Sequence, residues 1–209
     1  MINDNYCIFY IVRHGETKWN VEGKLQGHAD SPLTEKGITQ AKILGEKLKN
    51  TRFDLAFSSD SLRAYKTAEI IALEHKIAVK TTQLLRERSF GKWEGKNYSV
   101  FSNELKHLVD KFLSMSDEKK KSFKYPDMES DEEIVARFIT FLRETAVAYP
   151  GKRILVVTHG AMMRILLIHL GLGTYEEIPP NAVDNGAYMQ LQSDGVEFFI
   201  RETEGINKH

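Results

Sequence analysis

Residues 153–169 run Arg153-Ile-Leu-Val-Val-Thr158-His159-Gly160-Ala-Met-Met-Arg-Ile-Leu-Leu-Ile-His169. Ile154 to Thr158 is an unbroken apolar and β-branched run, the pattern of a strand covered on both faces, which is characteristic of parallel sheets. An apolar helix from Ala161 to His169 follows directly, so the polar pair His159-Gly160 falls at a strand-to-helix junction.

The same grammar recurs upstream. Cys7 to Val12 is a short buried-type strand that stops at Arg13-His14-Gly15, and Asp54 to Ser58 is a second strand. A helix from about Ser61 to Leu73 follows the latter, with Leu62, Ala68, Ile71 and Ala72 available for burial. Thr34 is an N-cap for a helix to about Lys49 with Ile38, Ala41, Leu44, Gly45 and Leu48 on one face, and Ile77 to Lys80 is a third short strand. This alternation predicts an α/β fold in three layers, with a mostly parallel central sheet between helices. Ligands of such sheets bind beyond the carboxyl ends of the strands, so His14 and His159 are expected to face each other there.

Leu84 to Gly95 is rich in Arg, Glu, Gly and Trp without periodicity, which marks a functional loop. Tyr98 to about Met115 reads as helix, and Asp117 to Lys121 as a solvated turn or helix end. Ser130-Asp-Glu-Glu133 is a capping box opening a helix that carries Ile134, Phe138, Phe141 and Leu142 inward until Pro150-Gly151. Ala187 to Gln192 and Val196 to Glu202 form a hairpin around Asp194-Gly195.

The whole chain, 209 residues with 42% hydrophobic and 28% charged, suits one globular α/β domain with or without an inserted lobe. Lys plus Arg and Asp plus Glu balance at 29 each, which excludes a global field for nucleic acid or an anionic membrane; any anion site is local. A single cysteine, Cys7, excludes an intramolecular disulfide and a Cys-rich zinc site. Met1 to Asn5 is polar without signal-peptide character and no apolar run spans a bilayer, so a cytoplasmic setting is expected.

Four segments carry chemistry. Arg13 offers a planar fork of donors for phosphate oxygens beside His14, Gly15 lets backbone approach a ligand, and Asn20 adds an uncharged donor. Arg63 sits in the first turn of a helix, where the dipole disfavours a cation unless an anion is bound beside it. His159-Gly160 opens a helix whose free N–H groups attract anions. Glu87 lies between Arg86 and Arg88 in the aperiodic loop. Taken singly, each segment also reads as an exposed strand end, a solvated helix arginine, a cap residue or a surface ion pair.

Together, Arg13-His14-Gly15-Glu16-Thr17 with Asn20, Ser58-Ser59-Asp60 with Arg63-Ala64 and Thr67-Ala68, the Glu87 loop, and Thr158-His159-Gly160 resemble the histidine phosphatase superfamily, also called the phosphoglycerate mutase-like family, over about residues 7–192. The resemblance implies His14 as nucleophile, Arg13, Arg63 and His159 around the phosphate, Glu87 as proton donor, and Asn20, Gln26, Gly27 and Gly160 in substrate binding. It further implies a small helical cap at about 96–130, after the Glu87 loop, with no cofactor and no metal. His159 would help most when protonated, and Ser58 is a candidate to set the tautomer of His14. His28, His75, His107, His169 and His209 have no motif support and read as surface or core.

The expected partner is a small phosphorylated metabolite, with no nucleic acid and no membrane; monomer and homodimer both stay open. Arg88-Ser-Phe-Gly-Lys-Trp-Glu-Gly95 and a short segment 96–130 resemble the phosphatase branch more than the cofactor-dependent mutases. A phosphoglycerate mutase and a non-catalytic phosphate-recognising module are the alternatives. Met128-Glu129-Ser130 departs from the Gly-Glu-Ser usual in the phosphatases, a change expected to bear on the cap and the substrate.

Overall fold

Strand burial sets the architecture. In β4 (Arg153–Thr158) every residue after Arg153 is buried, with Ile154 and Val156 packed into one apolar cluster and Leu155 and Val157 into another. The period of two thus feeds two cores, one on each face of a sheet, as the unbroken apolar run requires. The computed structural model describes residues 6–209, so the Met1 to Asn5 stretch lies outside the described residues.

Among these residues the sheet has six strands in the order β3-β2-β4-β1-β5-β6, with β1 at Cys7–Arg13, β2 at Leu55–Ser59, β3 at Val79–Thr82, β5 at Val183–Ser193 and β6 at Phe198–Ile206. The first four are mutually parallel, while β5 pairs antiparallel with β1 and β6 antiparallel with β5. Helices α2 (Glu35–Leu48) and α3 (Leu62–His75) cover one face, and α7 (Asp131–Ala148) and α8 (Gly160–His169) the other. This is the three-layer α/β/α fold. Burying Phe138 of α7 contributes on the order of 2–3 kcal/mol, and α7 starts at Ser130, whose capping box with Glu133 is complete.

The chain adds a short helix α1 (Lys18–Val21) after β1 and three more between the Glu87 loop and α7: α4 (Tyr98–Glu104), α5 (Lys106–Leu113) and α6 (Asp117–Ser122). These three build the cap around Trp93, Phe101, Tyr125 and Met128. Several boundaries differ from expectation. The single helix from Tyr98 to Met115 is broken at Leu105, whose φ of −107° and ψ of 25° leave the α region. The Asp117–Lys121 run is a helix with a purpose beyond solvation, because Lys120 lies over the rings of Phe112 and Tyr175 at 5.9 and 5.4 Å. Leu62 is 52% exposed and Arg63 takes the buried first-turn place in α3.

Candidate active site

Register, more than proximity in sequence, brings the two histidines together. Arg13 of β1 pairs with Thr158 of β4, and the His14 N–H donates to the Thr158 carbonyl at 3.0 Å. The two chains therefore leave the sheet side by side, and the rings of His14 and His159 meet edge to face with centroids 5.2 Å apart. Ser58 of β2 pairs with Val157, so Ser59-Asp60-Ser61 and the start of α3 reach the same edge; β3 ends there too and delivers Glu87.

His14 is almost wholly buried, and its Nδ1 lies 2.7 Å from the Gly15 carbonyl. A proton on Nδ1 donates to that carbonyl, which leaves Nε2 with a free lone pair. Burial first, then the charges of Arg63 and Arg13, hold the ring's pKa well below 6.5, so it is neutral near neutrality. Ser58 does not set this tautomer: its hydroxyl donates to the Ser59 carbonyl at 2.8 Å. Gly15 has a packing role as well: a Cβ there would stand 2.3 Å from the Gly37 carbonyl, so the glycine lets the His14 loop press against α2.

Arg13 donates to the Val183 carbonyl through Nη1, and its buried Nε has no partner. Gly160 makes room for it: a Cβ at Gly160 would meet the Arg13 Nε at 3.0 Å. Arg63 donates to the carbonyls of Ala29 and Gly27 at 2.8 and 2.7 Å and pairs with Asp30 at 3.0 Å, again with Nε unpartnered. Asp30 also accepts from the Leu62 and Arg63 N–H groups, so a carboxylate of the chain itself, in addition to any bound anion, compensates a cation in the first turn of α3. Both Nε–H groups are buried donors open to an anion, whereas the equally unpartnered Nε of Arg88 belongs to a guanidinium already paired with Asp131.

His159 is fully buried as the N-cap of α8, with Nε2 3.3 Å from the Ser61 hydroxyl and Nδ1 unpartnered. Burial, then Arg63 and His14, lowers its pKa well below 6.5, so without an anion it is neutral. Glu87 accepts from the N–H groups of Arg88 at 2.8 Å and Ala161 at 3.1 Å, which sets its carboxylate on the N-terminus of α8. The flanking arginines point elsewhere: Arg86 makes a bidentate pair with Asp60, and Arg88 pairs with Asp131.

Of the remaining candidates, Asn20 caps α1 with Thr17, Gln26 donates to the Thr17 hydroxyl at 2.8 Å, and Gly27, at φ 56°, presents its carbonyl to Arg63. Three residues missed in the sequence belong to the same wall. Asn185 donates to the His14 carbonyl at 3.1 Å and to Asn20 at 3.3 Å. Glu94 accepts three backbone N–H groups, from His28, Ala29 and Phe90. His28, read as a plain surface or core residue, has Nε2 3.1 Å from the Glu87 carbonyl. His28 and Asn185 sit in no motif, and Glu94, although inside the Arg88 to Gly95 stretch, bonds to backbone, which leaves no periodic trace.

With this geometry in view, residues 9–204 match the model of the histidine phosphatase superfamily, branch 1. The chain belongs to that superfamily. It is 34% identical over 199 residues to the uncharacterized phosphatase PhoE of Bacillus subtilis, covering 95% of this chain and 94% of the relative. It is 36% identical over 180 residues to phosphoglycerate mutase-like protein 4 of Arabidopsis thaliana, covering 85% and 74%. The solved structure of Bacillus stearothermophilus YhfR superposes with a TM-score of 0.84 at 29% identity, covering 96% and 97%. The superfamily and these relatives make the chain a phosphatase-or-mutase type of enzyme.

Proposed function

We propose that the chain is a metal-independent phosphomonoester hydrolase that passes a phosphoryl group from a small phosphorylated metabolite to water through a phosphorylated His14. The observation that carries this reading is the neutral His14 ring, anchored through Nδ1 to the Gly15 carbonyl beside two buried arginines with unpartnered Nε groups. A fixed tautomer and a depressed pKa are what a nitrogen nucleophile needs.

In the first step the His14 Nε2 lone pair forms the N–P bond as the ester P–O bond breaks, and Glu87, protonated, gives its proton to the departing alkoxide. In the second, water attacks phosphorus, its proton goes to Glu87, and the N–P bond breaks to release phosphate and neutral His14. Arg13 and Arg63 neutralise the equatorial oxygens, and His159 donates a hydrogen bond to them, its pKa rising as the dianion enters. Asn20, Gln26, Gly27 and Gly160 shape the pocket wall. The Glu87 carboxyl takes the Ala161 N–H at the start of α8, the helix that His159 opens, which supports its reach to the departing oxygen. A proton donor of this kind is worth about 10²–10⁴ in rate. The buried, unpaired Cys7 fits a reducing, cytoplasmic setting.

The mutase alternative is favoured by the name of the Arabidopsis relative, and differs only in the acceptor of the second step. The test is turnover of p-nitrophenyl phosphate in excess EDTA by the parent and His14→Ala. Activity of the parent alone supports metal-free histidine chemistry. Isomerisation of 3-phosphoglycerate with 2,3-bisphosphoglycerate, without phosphate release, overturns the hydrolase in favour of the mutase. Phosphate binding with neither reaction leaves a recognition module.

A further inference from the structure

We propose that Arg137 and Glu129 are positioning residues that hold the Glu87 loop in register with the N-terminus of α8; the catalytic part of this inference rests on the proton-donor reading of Glu87. Arg137 projects from the second turn of α7. Its guanidinium donates to three carbonyls of the loop, Leu84 at 3.0 Å, Arg86, and Glu87 at 3.0 Å, and to both oxygens of Glu129 at 3.1 Å each. A guanidinium has five N–H donors, and these five contacts use all of them, so Arg137 has none left for a phosphate.

Glu129 completes the clamp from the other side. Its carboxylate accepts the Ser89 N–H at 2.7 Å, and its own N–H donates to the Ser89 carbonyl at 3.1 Å. Residues 84–89, which have no strand or α-helix of their own, are thereby tied at four points to the start of α7. The pair is only partly exposed, with side chains at 16% and 22%, so solvent screens it incompletely. A loop without regular structure holds a carboxylate only as well as its backbone is fixed, and Glu87 needs fixing because its acceptor contacts span two elements, the Arg88 and Ala161 N–H groups. Arg137 also adds to the positive field that depresses the pKa of His159.

The clamp joins the cap to the chemistry. Met128, immediately before Glu129, is buried with Trp93, Phe101 and Tyr125 in the cap core, so any shift of the cap against its substrate pulls on the residue that holds the proton donor. Methionine in place of the family's usual glycine fills this core, directly after Asp127, whose φ of 64° is left-handed.

The test compares Arg137→Met, Arg137→Lys and Glu129→Gln with the parent on two esters, p-nitrophenyl phosphate, whose leaving group needs little protonation, and an alkyl phosphomonoester, whose leaving group needs it fully. Lysine brings three donors on one nitrogen and cannot span three carbonyls and a carboxylate, so it is expected to fail like methionine. The expected result is a loss of about 10²-fold or more in kcat/KM, which reports the P–O cleavage step, on the alkyl ester and less than about tenfold on the aryl ester, the signature of a misplaced general acid. Equal losses in kcat/KM on both esters overturn the catalytic part. Amide hydrogen exchange supplies a readout independent of activity: Arg88 and Ala161 are expected to lose protection in Arg137→Met while β1 and β4 keep theirs. Unchanged protection at those amides overturns the clamp itself. A parent that hydrolyses neither ester while the exchange result holds refutes the hydrolase reading and leaves the clamp standing.

Discussion

His14 and His159 share one desolvated site, edge to face at 5.2 Å between centroids, and each lowers its affinity for protons under the same positive Arg63. The consequence is a stability that depends on pH. In the unfolded chain both rings bind a proton below about pH 6.5, whereas in the folded chain burial and Arg63 delay this to much lower pH. The unfolded state therefore holds more protons on the acid side, so the stabilising contribution is full above about pH 6.5 and is lost as pH falls. Urea unfolding at a series of pH values should show this loss, and His14→Asn should reduce the slope by up to about 1.4 kcal/mol per pH unit. Identical slopes in parent and variant would falsify the neutral assignment of His14.

Two glycines beside the histidines should fail in different ways. A Cβ at Gly15 would lie 2.3 Å from the Gly37 carbonyl, which is backbone, so Gly15→Ala must part the His14 loop from α2 and is expected to cost about 1–3 kcal/mol of stability. A Cβ at Gly160 instead meets the Arg13 guanidinium at 3.0 Å, a side chain pinned beyond by the Val183 carbonyl. Gly160→Ala should fold and lose about tenfold in phosphate affinity, near 1.4 kcal/mol, by titration calorimetry. Normal phosphate affinity in Gly160→Ala would show that Arg13 does not touch the anion.

The parallel strands were legible because a strand buried on both faces writes an unbroken apolar run, and the two histidines follow such runs directly. The capping box at Ser130 was legible for the same local reason, its two partners being three residues apart. What escaped was set by contacts between distant segments. Glu94 bonds to residues 28 and 29, Asn185 to His14, and Asp30 to the start of α3, and none of these pairings has a spacing to read. Leu62, expected to be buried, is exposed because Arg63 takes the inward place, where Asp30 and the Gly27 and Ala29 carbonyls together satisfy its guanidinium, a tertiary fact that overrides the apolar preference.

Asp131, buried at the start of α7, balances two partners of unequal value. It pairs with Arg88, next to Glu87, and accepts the Tyr175 hydroxyl at 2.7 Å, while burial, then Asp131, pushes the Tyr175 phenol up and keeps it protonated. Asp131→Asn leaves Arg88 partly buried and uncompensated, at an expected cost of about 3–5 kcal/mol. Tyr175→Phe removes one neutral donor and should cost about 1–2 kcal/mol. Urea midpoints rank the two, and a milder Asp131→Asn would mean that Arg88 finds solvent at little cost.

Glu94 should matter to both stability and the site, although it touches no phosphate. Its Oε1 accepts from His28 and Phe90 at 3.0 Å each and its Oε2 from Ala29 at 2.8 Å, which shapes the loop whose Gly27 and Ala29 carbonyls hold Arg63. Glu94→Gln places an amide N–H₂ against a backbone N–H, so at least one donor loses its partner at a cost of about 1–3 kcal/mol. The released loop frees Arg63 to leave the phosphate, so KM should rise along with the loss of stability. In Asn185→Ala only the His14 carbonyl and Asn20 lose a donor, so Arg63 keeps its carbonyls and KM should rise less. Steady-state kinetics on both variants check this, and an unchanged KM in Glu94→Gln would mean that Arg63 holds its place without the loop.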